Sequence, residues 1–195
     1  MGEFCLETER LLIRNWREQD RDLFYLINSD DKVMEFFPFR RDRATSDELM
    51  DILRDCVAET GYGFTPIILK ETDQAIGFCG LADINTEDGF PGTGVEIGWR
   101  LATEHWQKGY VTEAARKLLE FAFFKLEKQE IVSFAVHDNY RSFAVMKRLG
   151  MKRDPSRDFN HKKVPDTHPH LKRHLVYSLS RKLFTDIRDN SPYVT

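Results

Sequence analysis

Cysteine is scarce and unpaired in this 195-residue chain: Cys5, Cys56 and Cys79 stand at spacings that form neither a CxxC pair nor a disulfide framework. That excludes a stapled secreted scaffold and a cysteine-based zinc module, and it points to a reducing compartment, the cytoplasm. No apolar run approaches the roughly 18 residues that span a bilayer, so no membrane partner is expected. The opening Met1-Gly2-Glu3-Phe4-Cys5-Leu6 lacks a basic stretch followed by an apolar one, so no signal peptide is expected either. Neither sign of charge is in excess. Acids and bases are interspersed to a net charge of -3, which argues against general nucleic-acid binding. Repeats, low-complexity tracts and linker-like stretches are absent too. What is present is 41% hydrophobic. That supports one domain over residues 1–185, large enough to bury roughly 70% of the surface its unfolded form exposes. Residues 186–195 read as a flexible tail.

Periodicity orders the elements. Thr8 to Trp16 opens as a strand around Leu11, Leu12 and Ile13. Leu23, Leu26, Ile27 and Met34 predict a helix from Glu18 to Phe37, ended by Pro38. Ser46 suits the N-cap of a second helix through Thr60. Phe64 to Lys70 and Gln74 to Ile84 read as a hairpin linked by Glu71-Thr72-Asp73, and residues 85–94 as a loop. Val95 to Leu101 is a strand, Gly109 to Lys128 a helix, Ile131 to His137 a strand and Arg141 to Leu149 a helix stopped by Gly150. Residues 152–169 are polar, and Leu175 to Leu183 reads as a last strand. This order predicts an α/β (α+β) fold: a mixed, twisted central sheet of about 6–7 strands with helices on both faces. The meander is antiparallel, and the unit from Val95 to His137 is a parallel crossover.

The turn before the third helix can bind an anion. A helix start leaves backbone amides unpaired and carries partial positive charge. Gly109 allows close backbone approach there. The chain contains neither GxxxxGK[ST] nor GxGxxG, so triphosphate and dinucleotide sites lose support. On these grounds alone the turn could equally be a plain connection.

The wording of the segment narrows this. Val95-Glu96-Ile97-Gly98-Trp99-Arg100-Leu101 followed by Trp106-Gln107-Lys108-Gly109-Tyr110-Val111-Thr112-Glu113-Ala114-Ala115 closely resembles the central motif of GNAT acetyltransferases. Asn139-Tyr140-Arg141-Ser142 with Met146-Lys147-Arg148-Leu149-Gly150-Met151 resembles the family's second motif. Glu9-Arg10-Leu11-Leu12-Ile13-Arg14 is similar to the opening of the branch that holds the ribosomal-protein N-terminal acetyltransferases. The likeness runs from about Thr8 to Leu183. It implies acetyl-CoA as co-substrate, with no metal, and a peptide or small-molecule amine as acceptor. It further implies that Gln107, Lys108, Gly109, Tyr110, Val111 and Thr112 hold the pyrophosphate. Trp99, Arg100 and Leu101 would meet the pantetheine arm, and Asn139 and Ser142 would give further cofactor contacts. Two departures stand out. Val111 occupies the last position of a loop that ends in glycine or alanine in the general family pattern, and Met146 aligns where many relatives carry a proton-donating tyrosine.

Acetyl transfer needs a deprotonated amine, a stabilised oxyanion and a proton for the leaving thiolate. Strand alternation places Glu96, Gly98 and Arg100 on one face and Val95, Ile97, Trp99 and Leu101 on the other. Glu96 is the candidate general base; the alternatives are a solvated strand residue or a partner of Arg100. Replacing it by glutamine is expected to slow turnover mainly at low pH. Lys108 either assists the pyrophosphate or is an ordinary surface lysine. Ser142 either touches the cofactor or only caps its helix. Tyr140 is a substitute acid candidate.

Other clusters read as structure first. His161, His168, His170 and His174 lack metal-ligand spacing and suit a polar connecting loop. Phe36, Phe37 and Phe39 precede Arg40, Arg41 and Arg43 between the first two helices. They are core, or else line an acceptor channel for a substrate with an apolar or acidic portion. Asp83, Glu87 and Asp88 attract a cationic amine or merely solubilise the hairpin. The competing function is a CoA-binding regulatory module of the same fold without chemistry. Monomer and homodimer are equally open.

Overall fold

A computed structural model of the chain describes residues 4–190. Alternating apolar residues build the strands. Leu11 and Ile13 are fully buried in β2 (Leu11–Arg14), which pairs with the short β1 (Cys5–Glu7) on one side and β3 (Phe64–Leu69) on the other, both antiparallel. β3 forms the predicted hairpin with β4 (Gln74–Asp83). Then come β5 (Val95–Leu101) and β6 (Glu130–Val136), joined through α3 (Tyr110–Phe124) and paired in parallel at Glu96 and Val132. β9 (Arg173–Ser180) runs antiparallel to β6, and β7 (Lys152–Arg153) and β8 (Phe159–Asn160) pair with β9. The result is a mixed, mostly antiparallel nine-stranded sheet in the order β1-β2-β3-β4-β5-β6-β9-β7. The mixed α/β architecture and the parallel crossover are as expected. The strand count is higher than expected because β1, β7 and β8 hold two or three residues each, too few to show a period.

Helix boundaries differ where a side chain competes for the backbone. α1 (Arg21–Ser29), preceded by a 3-10 turn at Glu18–Asp20, stops well before Pro38. Asp30 Oδ1 accepts the amides of Lys32 and Val33, each at 2.8 Å, and turns the chain into a loop. α2 (Arg43–Thr60) is capped by Asp42, whose Oδ1 accepts the Thr45 amide at 2.8 Å. Ser46 is therefore not the cap; it is buried inside the helix, its Oγ accepting from Asn28 Nδ2 at 3.2 Å. α3 ends at Phe124 rather than Lys128, and Glu127 turns left-handed (φ 54°) soon after. The last strand stops at Ser180. Ser180 Oγ accepts the Leu183 amide at 3.2 Å and starts α5 (Arg181–Asp189), a helix the sequence reading missed. Residues 191–195 of the expected tail lie outside the described residues.

The chain divides into two compact units. The first comprises residues 1–82 and 98–118. Its core gathers Trp16, Phe24, Ile27, Met50, Phe78 and Ala102, and the Trp16 indole donates to the Phe64 carbonyl at 2.7 Å. Arg14, buried in the same unit, is held bidentately by Asp20 at 2.7 and 3.0 Å. The second unit comprises residues 83–97 and 119–195. It packs Phe90, Val132, Phe159 and Val176 with Ile84 and Phe134. Among the described residues no helix is long and apolar enough to cross a membrane.

Candidate active site

In the first unit the strand-to-helix turn is shaped for an anion. The Trp106 indole donates to the Leu101 carbonyl at 2.7 Å and fixes the turn on the end of β5. Gln107 (φ 63°) and Gly109 (φ 81°) are both left-handed, flanking Lys108. Such a run of alternating conformations folds successive amides into a concave cradle. Gln107 adopts it without being glycine, a strain that is usual at binding turns. The α3 ladder begins with the Glu113 amide on the Gly109 carbonyl at 3.1 Å, so the amides before it open the helix without an intrahelical acceptor. Gln107, Lys108 and Gly109 are exposed, and Tyr110, Val111 and Thr112 partly so. A phosphate fits this donor set, and bulky Val111 does not close it off from solvent.

Glu113 and Arg10 brace the cradle, a role the sequence reading did not assign to either. Glu113 accepts from the Thr8 hydroxyl at 2.5 Å, the Arg10 amide at 2.9 Å and Arg10 Nε at 2.7 Å. Burial would raise its carboxyl, but these bonds outweigh it and hold Glu113 below the usual range. Arg10 also donates to the Lys108 carbonyl at 3.1 Å and lies 4.6 Å from the Tyr110 ring centroid. The only hint in the sequence was an acid in the first helical turn.

Arg100 lies in the stretch whose backbone groups are expected to meet the pantetheine arm, and its side chain has partners within the fold. Its Nη1 donates to Asn28 Oδ1 at 2.7 Å, and its guanidinium lies over Phe37 at 4.0 Å and Phe78 at 5.4 Å. Burial and the neighbouring Arg41 lower it to about 10. Trp99 is partly exposed; Leu101 is buried and its carbonyl is taken by Trp106.

Glu96 belongs to the second unit. Burial first, and then the Asp88 carboxylate, push it up to about 7. Among the described residues no hydrogen bond or ion pair holds its carboxylate. Asp88 sits in a 3-10 turn (Thr86–Asp88), paired to Lys163 at 2.8 Å, and its charge also acts on His161. Neither role expected of Asp88, attracting a cationic amine or solubilising the hairpin, included this influence on Glu96. A carboxyl near neutrality can take up and release a proton at working pH.

Asn139, not Ser142, caps α4 (Tyr140–Arg148): its Oδ1 accepts the Ser142 amide at 3.1 Å. Met146 is 1% exposed and carries no proton, while Tyr140 is 73% exposed. The histidines group with aromatic rings: His174 stacks on Phe159 at 5.4 Å and lies 5.1 Å from His161. Burial lowers His174 to about 4, so it is neutral. Among the described residues no three His, Cys, Asp or Glu side chains gather as a metal site.

Comparison with known proteins places the chain in a family and a fold. The acetyltransferase (GNAT) domain profile matches residues 10–152. The uncharacterized N-acetyltransferase p20 of Bacillus licheniformis is 31% identical over 152 residues, covering 76% of this chain and 83% of the relative. A GNAT-family acetyltransferase from Bacillus anthracis superposes with a TM-score of 0.75 at 23% identity, over 91% of this chain and 99% of its own. The Microcin C7 self-immunity acetyltransferase MccE, solved with acetyl-CoA and AMP, superposes at 0.70 with 17% identity, over 89% and 93%. The chain belongs to the GNAT acetyltransferase family.

Proposed function

We propose that this acetyltransferase moves the acetyl group of acetyl-CoA to a primary amine, on a small molecule or a peptide N-terminus, with Glu96 as general base. The observation that carries the reading is a partly buried carboxyl on β5 with no hydrogen-bond or ion-pair partner among the described residues, pushed up to about 7 by desolvation and by Asp88. Acetyl-CoA supplies the activated acetyl thioester. The amides of residues 107–112 receive the pyrophosphate, and Lys108 adds charge beside it. Glu96 takes one proton from the incoming ammonium, directly or through water, and leaves the amine lone pair free for the carbonyl carbon; as the C–N bond forms the C–S bond breaks, and a second proton from the nitrogen ends on the departing coenzyme A thiolate. Asn139 and Ser142 support the cofactor from the start of α4. The exposed thiols of Cys5 and Cys56 fit a reducing compartment, the cytoplasm.

The test is thiol release from acetyl-CoA with a panel of amines and peptides, for the wild type and Glu96→Gln. Turnover with at least one acceptor, lowered roughly 100-fold or more in the variant, is the expected result. The buried methionine at position 146 favours a second reading, a CoA-binding module without chemistry. Tight CoA binding with no turnover for any acceptor would establish that instead.

A further inference from the structure

Three arginines follow the aromatic run between α1 and α2, and their fates differ. Arg40 pairs with Asp31 at 2.9 Å. Arg43 pairs with Asp22 at 2.7 Å and Asp47 at 2.9 Å. Arg41, among the described residues, has no acidic partner. Its backbone amide donates to the Asn28 carbonyl at 3.0 Å, its guanidinium lies 5.2 Å from the Phe39 centroid, and its Nε is buried without a hydrogen-bond acceptor. Arg100 comes to the same residue, Asn28, through its side chain, and it too has no carboxylate partner among the described residues. Phe37 lies over Arg100 and stands 6.3 Å from Phe39.

Two partly buried guanidiniums that feel each other's charge, one of them with an orphaned donor beside the Phe39 ring, are an unbalanced arrangement. Arg14 shows how the same unit treats a buried arginine that serves only the fold: it is given Asp20 in bidentate contact. Asn28 cannot balance the pair, because its one side-chain oxygen serves Arg100 and its amide serves Phe24 and Ser46. The missing component is an oxyanion, and the rings around it suit an apolar stem. Arg100 also belongs to the alternation class of Glu96 along β5.

We propose that Arg41 and Arg100 form an anion site that receives a carboxylate or phosphate borne by the apolar portion of the acceptor, with Phe37 and Phe39 as its walls. The acceptor class is then an amine that carries an oxyanion, not a polyamine or a neutral amine. This rests on the acetyl-transfer reading for the word acceptor, but the anion site itself can be measured without turnover.

Benzoate and phenyl phosphate are titrated into the full chain by calorimetry, and acetyl transfer is compared for phenylalanine and phenethylamine, which differs only in lacking the carboxylate. At least one oxyanion binds, and which of them binds tighter separates a carboxylate site from a phosphate site. It competes with the acceptor and not with acetyl-CoA, and phenylalanine is preferred over phenethylamine. Arg41→Gln weakens that binding roughly 10- to 100-fold and reduces the preference by a similar factor. Arg41→Lys, which keeps the charge but not the fork, falls between. Competition with acetyl-CoA, or equal oxyanion binding by wild type and Arg41→Gln, would overturn the proposal. Absence of turnover with every amine, beside lost benzoate binding in Arg41→Gln, would sink the acetyl-transfer reading while supporting the anion site.

Discussion

The proposed general base is a single carboxyl, Glu96, and its titration fixes the sign of two predictions. Glu96 rises from an ordinary 4.5 to about 7, by burial and by Asp88. Below pH 7 it is protonated and cannot act as a base, so Glu96→Gln should cost little there and most above pH 7. That reverses the expectation drawn from the amine alone, which placed the larger loss at low pH. The acid limb of kcat/KM near pH 7 should vanish in the variant; a limb that persists unchanged removes Glu96 from the mechanism. Asp88→Asn should move the same limb to lower pH, since a like charge beside Glu96 is gone. Stability runs the other way. A group whose folded pKa is raised contributes stability that is whole below its unfolded value and is lost as pH rises through the folded value. Ionised Glu96 therefore costs about 3 kcal/mol above pH 7, and Glu96→Gln should unfold at a higher temperature than wild type at pH 8 but not at pH 4. The sequence made Glu96 legible through strand alternation and its motif. It hid Asp88, because the loop that brings a second carboxylate near has no period to read.

At the scale of elements, capping side chains decide boundaries that hydrophobic periods leave vague. Asn139 accepts the Ser142 amide at the start of α4, so Asn139→Ala should cost about 1 kcal/mol in denaturant unfolding. Ser142→Ala should cost less, because only its backbone serves the cap. Close strand approach is the other constraint. A Cβ added at Gly77 would lie 2.4 Å from the Arg100 carbonyl oxygen and 2.7 Å from Leu101 Cα, both backbone atoms that cannot swing aside. Gly77→Ala should cost about 3 kcal/mol and lower the melting temperature accordingly. The type of most principal elements was legible from strand or helix spacing, as at Leu11 and Ile13 in β2; α5, part of which read as strand and part as tail, was not. The ends were not. Asp30, Asp42 and Ser46 are chemically near-equivalent capping residues, and only the folded backbone shows that Asp30 ends one helix and Asp42 starts the next.

For the whole molecule, local wording carried the family further than composition could. The turn at 106–113 and the strand before it are contiguous in sequence, so the family was readable from them. Arg10 and Glu113 stand 103 residues apart and meet only in the fold. Their contact sets up a test of the entire chain. A net charge of -3 gives no general attraction for a polyanion, so the proposed reading rests affinity for acetyl-CoA on local groups, the cradle first among them. Ligand that binds only the folded chain, at a hundred times its dissociation constant, adds about 2.7 kcal/mol. For a chain of this length that corresponds to a rise in melting temperature of about 5–10 °C. Arg10 is 43% exposed, so its ion pair with Glu113 contributes at most about 1 kcal/mol to folding, and Arg10→Ala should melt within a few degrees of wild type without ligand. Its bonds to the Lys108 carbonyl and Glu113 nevertheless hold the amides of the turn in place. The variant should therefore need roughly tenfold more acetyl-CoA for the same thermal shift. Equal shifts at equal ligand would mean that the turn keeps its shape without Arg10, and that the cradle owes its form to Gln107 and Gly109 alone.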